Sequence, residues 1–302
     1  MRGASQVRCV LRAQALNGES PVWDERSGRL FWVCLREPAL HAFDPKTGQD
    51  TAWKMPAWIG TLGLTPTGAV VALRTGLFEF TEKDGALRFL APAPFDSRRF
   101  TFNDGGLDPR GRLWAGPMYE PLEPGDASSA PRALPFWCYG GEGTWLPGTA
   151  PVQTANSLAW SPDGRTMYHS DTPQKTLWAS DYDVETGTAS TPRVFARTHE
   201  GVGPDGASVD RDGFLWCALY GAGKVVRFDP QGRVEREVRM PVQYPTMPAF
   251  GGEGLGTIFV TSANHSLSPE ERRQRPEEGN LFAFEAPVPG LPGPTFRMPE
   301  KG

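Results

Sequence analysis

The sequence predicts an all-β fold, a six-bladed β-propeller with four-stranded blades, and three observations predict it. First, 35 Gly and 30 Pro make up about one residue in five of the 302-residue chain, against roughly 12% on average. Such punctuation leaves no room for long helices. Second, a turn glycine followed by a β-type apolar run recurs at Gly28, Gly68, Gly111, Gly164, Gly213 and Gly256, every 40 to 53 residues. Third, a second strand signal follows in most units. Short aromatic-rich strands joined by hairpin turns at this period are the mark of propeller blades, and six repeats imply six blades. A sandwich accounts for short strands but not for the period.

The elements follow in order. The repeated units are Ser27-Gly28-Arg29-Leu30-Phe31-Trp32-Val33, Thr67-Gly68-Ala69-Val70-Val71-Ala72-Leu73 and Arg110-Gly111-Arg112-Leu113-Trp114-Ala115. Asp163-Gly164-Arg165-Thr166-Met167-Tyr168, Asp212-Gly213-Phe214-Leu215-Trp216-Cys217 and Leu255-Gly256-Thr257-Ile258-Phe259-Val260 complete them. Second strands include Leu40-His41-Ala42-Phe43, Leu77-Phe78-Glu79-Phe80 and Val225-Val226-Arg227-Phe228. Val7 to Leu11 precedes the first unit and is expected to complete the last blade, leaving no open sheet edge. All of 1–302 is expected to form one domain, with a long loop at about 119–132 and an extended tail at 287–302.

The glycines also serve as a ruler. Eight residues before Gly111, Gly164 and Gly213 stand Asn103, Asn156 and Asp205, and nine before Gly28 stands Glu19. The same count gives Gly60 and Pro248 in the other two blades, which carry no side-chain oxygen. Equivalent positions lie on a ring around the central channel. Two carboxylates and two carboxamides are therefore expected to converge. Such a hard, oxygen-rich site suits one divalent cation, with Ca, Zn, Mn, Mg and Fe all open.

Other chemistries are less well supported. The net charge of −4 and the absence of a long basic run argue against nucleic acid. No apolar stretch approaches 18 residues, so no membrane span is expected. Cys9, Cys34, Cys138 and Cys217 are scattered, without C-x-x-C spacing. No export signal precedes them, so buried thiols and a cytoplasmic location are expected. His41, His169, His199 and His265 show no metal-binding spacing, and no G-x-S-x-G elbow is present.

The chain resembles the gluconolactonase, regucalcin (senescence marker protein) and luciferin-regenerating enzyme family from about Leu16 to Leu291. The motifs are Gly18-Glu19-Ser20-Pro21-Val22-Trp23, Asn103-Asp104-Gly105-Gly106, Ala155-Asn156-Ser157-Leu158, Pro204-Asp205-Gly206 and Phe250-Gly251-Gly252. The resemblance implies a six-bladed propeller with one divalent metal held by Glu19, Asn156 and Asp205. It places Asn103 at the substrate or the metal shell and makes Asp205 the general base. It implies hydrolysis of sugar lactones to aldonic acids.

The sequence departs from the family pattern in the shell that reads the sugar. Thr101 stands where family lactonases usually carry a substrate-contacting Arg, and Pro121 where they keep a Glu. Glu120 and Glu123 are the nearby carboxylates able to replace it. Ser20 and Ser157 occupy positions that are usually Gly, and Cys34 one that is often Asp. The expected partner is a small-molecule lactone or ester, and the expected assembly a monomer or weak homo-oligomer. Hydrolysis of non-sugar lactones, esters or phosphotriesters, and a non-catalytic metal-binding propeller, are the competing readings.

Overall fold

Six antiparallel sheets surround one axis in a computed structural model that describes residues 6–123, 132–141 and 143–297. The first strand of each blade lines the channel: Gly18–Asp24, Ile59–Thr65, Phe100–Leu107, Ala155–Trp160, Gly203–Val209 and Pro245–Gly251 in blades 1 to 6. Three further strands step outwards in each blade. In blade 1 these are Arg29–Cys34, Ala39–Asp44 and Gln49–Lys54. Burial follows the steps. Arg29–Cys34 is almost wholly enclosed, whereas Gln49–Lys54 and Val234–Arg239 alternate or face solvent. In blade 4 the third strand, Thr176–Asp183, pairs outwards with both Thr188–Ala189 and Arg193–Arg197. Blade 6 takes its outermost strand from the other end of the chain: Arg8–Leu11 pairs with Leu281–Glu285, with Arg8 opposite Ala283.

The core lies between neighbouring sheets. Phe31, Val33 and Leu40 of blade 1 meet Ile59, Leu62 and Phe80 of blade 2. Each such side chain contributes about 1.5–3 kcal/mol by leaving water. Trp32, Trp114 and Trp216 fill equivalent second-strand positions and are fully buried. Gly28, Gly111, Gly164 and Gly213 have φ of +66°, +77°, +71° and +84°, the left-handed turn that glycine makes without strain. Gly68 and Gly256 differ. A Cβ on Gly68 would come within 2.2 Å of the Phe80 carbonyl oxygen, so that glycine supplies space.

The tail is a strap under the blades. Pro289 O accepts from Arg211 N, and Gly290 N donates to Leu255 O. Phe296 N then donates to Leu64 O, and Arg297 N to Gly111 O. The last residues of the expected tail, 298–302, and positions 124–131 of the expected long loop lie outside the described residues. All four cysteines are free, and all but Cys9 are buried. Among the described residues no helix is long and apolar enough to cross a membrane.

Candidate metal centre

Every inner strand is bulged near its upper end, where it begins. The register against the second strand shifts between Glu19 and Val22, Ile59 and Thr61, and Phe102 and Gly105. It shifts again between Asn156 and Ala159, Pro204 and Ala207, and Pro245 and Pro248. A bulge re-aims the side chains around it. Glu19 and Asn156 are the last paired residues before their bulges, whereas Asn103 and Asp205 lie inside theirs. The ruler's single register is thus two adjacent positions. In blade 6 it overshoots: Pro248 is already paired with Val260, and Thr246 and Met247 occupy the bulge.

Two bulges carry strain. Ser20 and Ser157, directly after Glu19 and Asn156, have φ of +45° and +58°. A non-glycine residue there costs roughly 1–2 kcal/mol. Hydrogen bonds offset it. Ser20 Oγ donates to Gly60 O at 3.0 Å. Ser157 Oγ donates to the Asp205 carbonyl oxygen and receives the Ser170 hydroxyl at 2.9 Å. The serines therefore tie blade 1 to blade 2 and blade 4 to blade 5.

The amides are oriented in the same way. Asn103 Nδ2 donates to Ala155 O at 2.9 Å and to Asn156 Oδ1 at 3.3 Å. Asn156 Nδ2 donates to Thr172 Oγ1 at 2.7 Å, and Thr172 Oγ1 donates to Pro204 O at 2.9 Å. Asn17 Nδ2 reaches Glu19 Oε1 at 3.4 Å. Glu19, Asn103, Asn156 and Asp205 are 7%, 6%, 3% and 5% exposed.

The electrostatics are those of crowded, desolvated carboxylates. Burial raises the pKa of Glu19 far above its usual range, and the charges of Asp205 and Asp104 push it further. Burial and then Asp104 do the same to Asp205. Asp104 is raised to about 7 by burial, although its carboxylate accepts from Leu158 N at 2.9 Å and Gly105 N at 2.7 Å. No Lys or Arg among the described residues lowers any of the three. No three of the described His, Cys, Asp and Glu side chains form a metal-holding cluster. The oxygens that could hold a cation are thus two carboxylates plus amides. That set is of the hard-oxygen kind a divalent ion takes, and no Lys or Arg among the described residues offsets the burial of its carboxylates.

The four ruler residues therefore lie buried near the upper ends of the inner strands of blades 1, 3, 4 and 5, with Glu19 set apart from the other three by blades 2 and 6. Thr101 does not present itself to the channel: it is fully buried, and its hydroxyl donates to Phe102 O at 3.2 Å. Glu120 stands at the upper rim, 3.4 Å from an Arg36 guanidinium nitrogen. Two further residues at the channel were not singled out from the sequence. Asp104 sat inside a quoted motif, and its acidity beside Asn103 was the available signal. Tyr220 gave none. Its hydroxyl pKa is raised by burial and by the charges of Asp205 and Glu19, against a lowering bond with Ser266. His169 is buried at about pKa 4 by desolvation and packs against Trp178 and Phe136.

Comparison with known proteins agrees with this architecture. The chain is 35% identical to 6-deoxy-6-sulfogluconolactonase of Pseudomonas putida, covering 96% of this chain and 98% of that one. It is 32% identical to human regucalcin, covering 92% and 93%. The crystal structure of the calcium-binding protein regucalcin from Agrobacterium tumefaciens superposes with a TM-score of 0.88 at 28% identity, covering 98% of both chains. Residues 17–264 match the SMP-30/Gluconolactonase/LRE-like region, and the chain belongs to that family.

Proposed function

We propose that this chain is a divalent-metal-dependent lactonase that opens sugar lactones to aldonic acids. The observation that carries the reading is the burial of Glu19 and Asp205, 7% and 5% exposed, with no Lys or Arg among the described residues lowering either carboxyl's pKa. Its support from relatives is that two of them, the Pseudomonas putida protein and a putative sugar lactone lactonase of Bacillus subtilis at 31% identity, are named for lactone hydrolysis. One is named for a lactone bearing a sulfonate, which brings acidic sugar lactones within range.

In this proposal Glu19, Asn156 and Asp205 hold the cation, with Asn103 beside them. When bound, the cation supplies positive charge that polarises the lactone carbonyl and keeps the surrounding carboxylates ionised. Asp205 takes a proton from the attacking water and returns it to the ring oxygen as the C–O bond breaks. One water is consumed, and one hydroxyl and one carboxyl are formed. Asn103 Nδ2 and Asn156 Nδ2 are already committed to Ala155 O and Thr172 Oγ1, which leaves the amide oxygens as the acceptors each can offer a cation, Asn156 Oδ1 beside the bond it accepts from Asn103. Ser157 fixes the Asp205 backbone, which limits the travel of its carboxylate. Thr101 is enclosed, so substrate reading passes to the rim, where Glu120 lies. A cytoplasmic setting is part of the proposal, in keeping with four free thiols.

The test is acid release from a panel of lactones before and after chelation, with Ca, Zn, Mn, Mg and Fe added back singly. Activity lost on chelation and restored by one ion is expected. Full activity in the chelated protein would overturn the metal's role, and no acid from any lactone would overturn the lactonase.

A further inference from the structure

The rim above blades 1 to 3 is charged oppositely to the channel below it. Arg36 follows the second strand of blade 1, and its guanidinium carbon lies 4.8 Å from the Trp58 ring centre. Arg74 follows the second strand of blade 2 and lies 5.5 Å from the same ring. Two guanidiniums therefore share one indole, which holds them in fixed positions by cation–π attraction. Arg74 is buried, with Nε donating to Ser97 O at 2.7 Å and a terminal nitrogen donating to Glu120 O. Among the described residues the Glu120 carboxylate pairs with them, 3.4 Å from Arg36. Next to them Arg99 and Arg132 flank the Tyr119 ring at 5.5 and 5.2 Å.

This cluster belongs to the same end of the channel as the carboxylates. Trp58 stands two residues before Gly60, and a Cβ on Gly60 would come within 2.8 Å of Asn103 N. The Arg36 charge also reaches His265, lowering its pKa after burial has done so, and His265 lies 6.2 Å from the ring of Tyr220. Tyr220 in turn feels Asp205 and Glu19.

We propose that Arg36 and Arg74, clamped about Trp58, bind an anionic substituent on the far side of the lactone from its ester. The substrate class is then acidic sugar lactones carrying a sulfonate, carboxylate or phosphate, not neutral ones. The proposal rests on the lactonase reading for the reaction but not for the anion. With Glu120 answering one of the two charges, the guanidinium pair keeps one positive charge and its remaining N–H donors for an oxyanion, which a neutral hydroxyl does not match.

The experiment compares kcat/KM for glucono-1,5-lactone with the same ring bearing a C6 sulfonate, C6 carboxylate or C6 phosphate. The wild-type protein should prefer at least one acidic lactone by roughly 10- to 100-fold, mostly in KM. Arg36→Gln, at a half-buried rim position, and Arg74→Gln should each collapse that preference. Arg98→Gln, whose side chain pairs with exposed Glu123, should keep it. Which acidic lactone is preferred identifies the anion. Equal rates on neutral and acidic lactones, or a preference that survives both substitutions, would overturn the proposal. If no lactone is hydrolysed, calorimetry with the 6-sulfo- and unsubstituted gluconates decides it. Binding of the sulfonate that Arg36→Gln weakens supports the anion site, and equal or absent binding overturns it.

Discussion

Buried carboxylates stand at both ends of the inner strands, under opposite conditions. At the lower end, Asp108 accepts from Arg112 Nε at 2.6 Å and from the Tyr182 hydroxyl at 2.6 Å. Asp210 accepts from Arg227 Nε at 2.8 Å and Trp216 Nε1 at 3.0 Å. Asp24 is raised by burial, yet Arg26 and Ser27 bring it below its usual pKa. At the upper end Glu19, Asp104 and Asp205 are also buried, and no Lys or Arg among the described residues lowers their pKa. The lower set is closed by the chain's own bases and serves the fold. Ionising the upper set costs stability, a condition that suits the cation of the proposed function.

The contrast is broken most severely by exchanging acid for amide at each end. Asp205→Asn should lower kcat by roughly 10²- to 10⁴-fold, while its metal-free melting temperature stays level or rises. Asp210→Asn should leave kcat nearly unchanged but destabilise the fold by about 3–5 kcal/mol, because Arg227 loses its buried partner. Kinetics and thermal unfolding on both variants check this, and the reverse pattern would falsify the division. Next, a divalent cation at 100 times its Kd should stabilise the chelated protein by about 2.7 kcal/mol. Calorimetry should show that gain in the wild type and little of it in Glu19→Gln.

Acidity sharpens the comparison further. An acid whose pKa is raised on folding favours the folded state fully below its unfolded value. It loses that contribution as pH rises through the folded value. For Asp104 the window runs from about 4 to about 7. Metal-free wild type should therefore gain stability relative to Asp104→Asn as pH falls from about 8 to about 5. Unfolding midpoints across that range would show the opposite slope if Asp104 were held ionised. The smallest effect belongs to Ser157. Ser157→Ala keeps the strained φ and loses a buried hydrogen bond, for about 1 kcal/mol. Ser157→Gly should cost less, because relief of strain offsets the lost bond.

The turns that hold the lower set were legible as the repeating glycines Gly111 and Gly213, but Asp108 and Asp210, three residues before them, were not singled out as buried acids. The blade count and the four donors followed from the same glycines. The bulges did not, because a register shift arises between two strands and leaves no fixed residue type behind. That is why Pro248 took the place of Thr246 and Met247 in the count. Gly60 read as a position without a donor, yet its role is proximity, since any side chain would strike the Phe102 carbonyl. Ser20 and Ser157 read as departures from a glycine pattern, and the reason for that pattern, positive φ, is visible only in the backbone. The rim arginines come from separate blades, and no spacing joins Arg36, Arg74 and Arg99.

The pairing of Arg8–Leu11 with Leu281–Glu285 bears on how the protein assembles. Five sheets are built from consecutive strands and can form as local meanders. The sixth joins residues 8 and 283, nearly the full chain apart, and so pays the largest loop-closure entropy of any pairing in the molecule. It must form after the others and wait for the final strands to be made. Blade 6 is then the last to be completed, and its inner strand packs against those of blades 1 and 5, which carry Glu19 and Asp205.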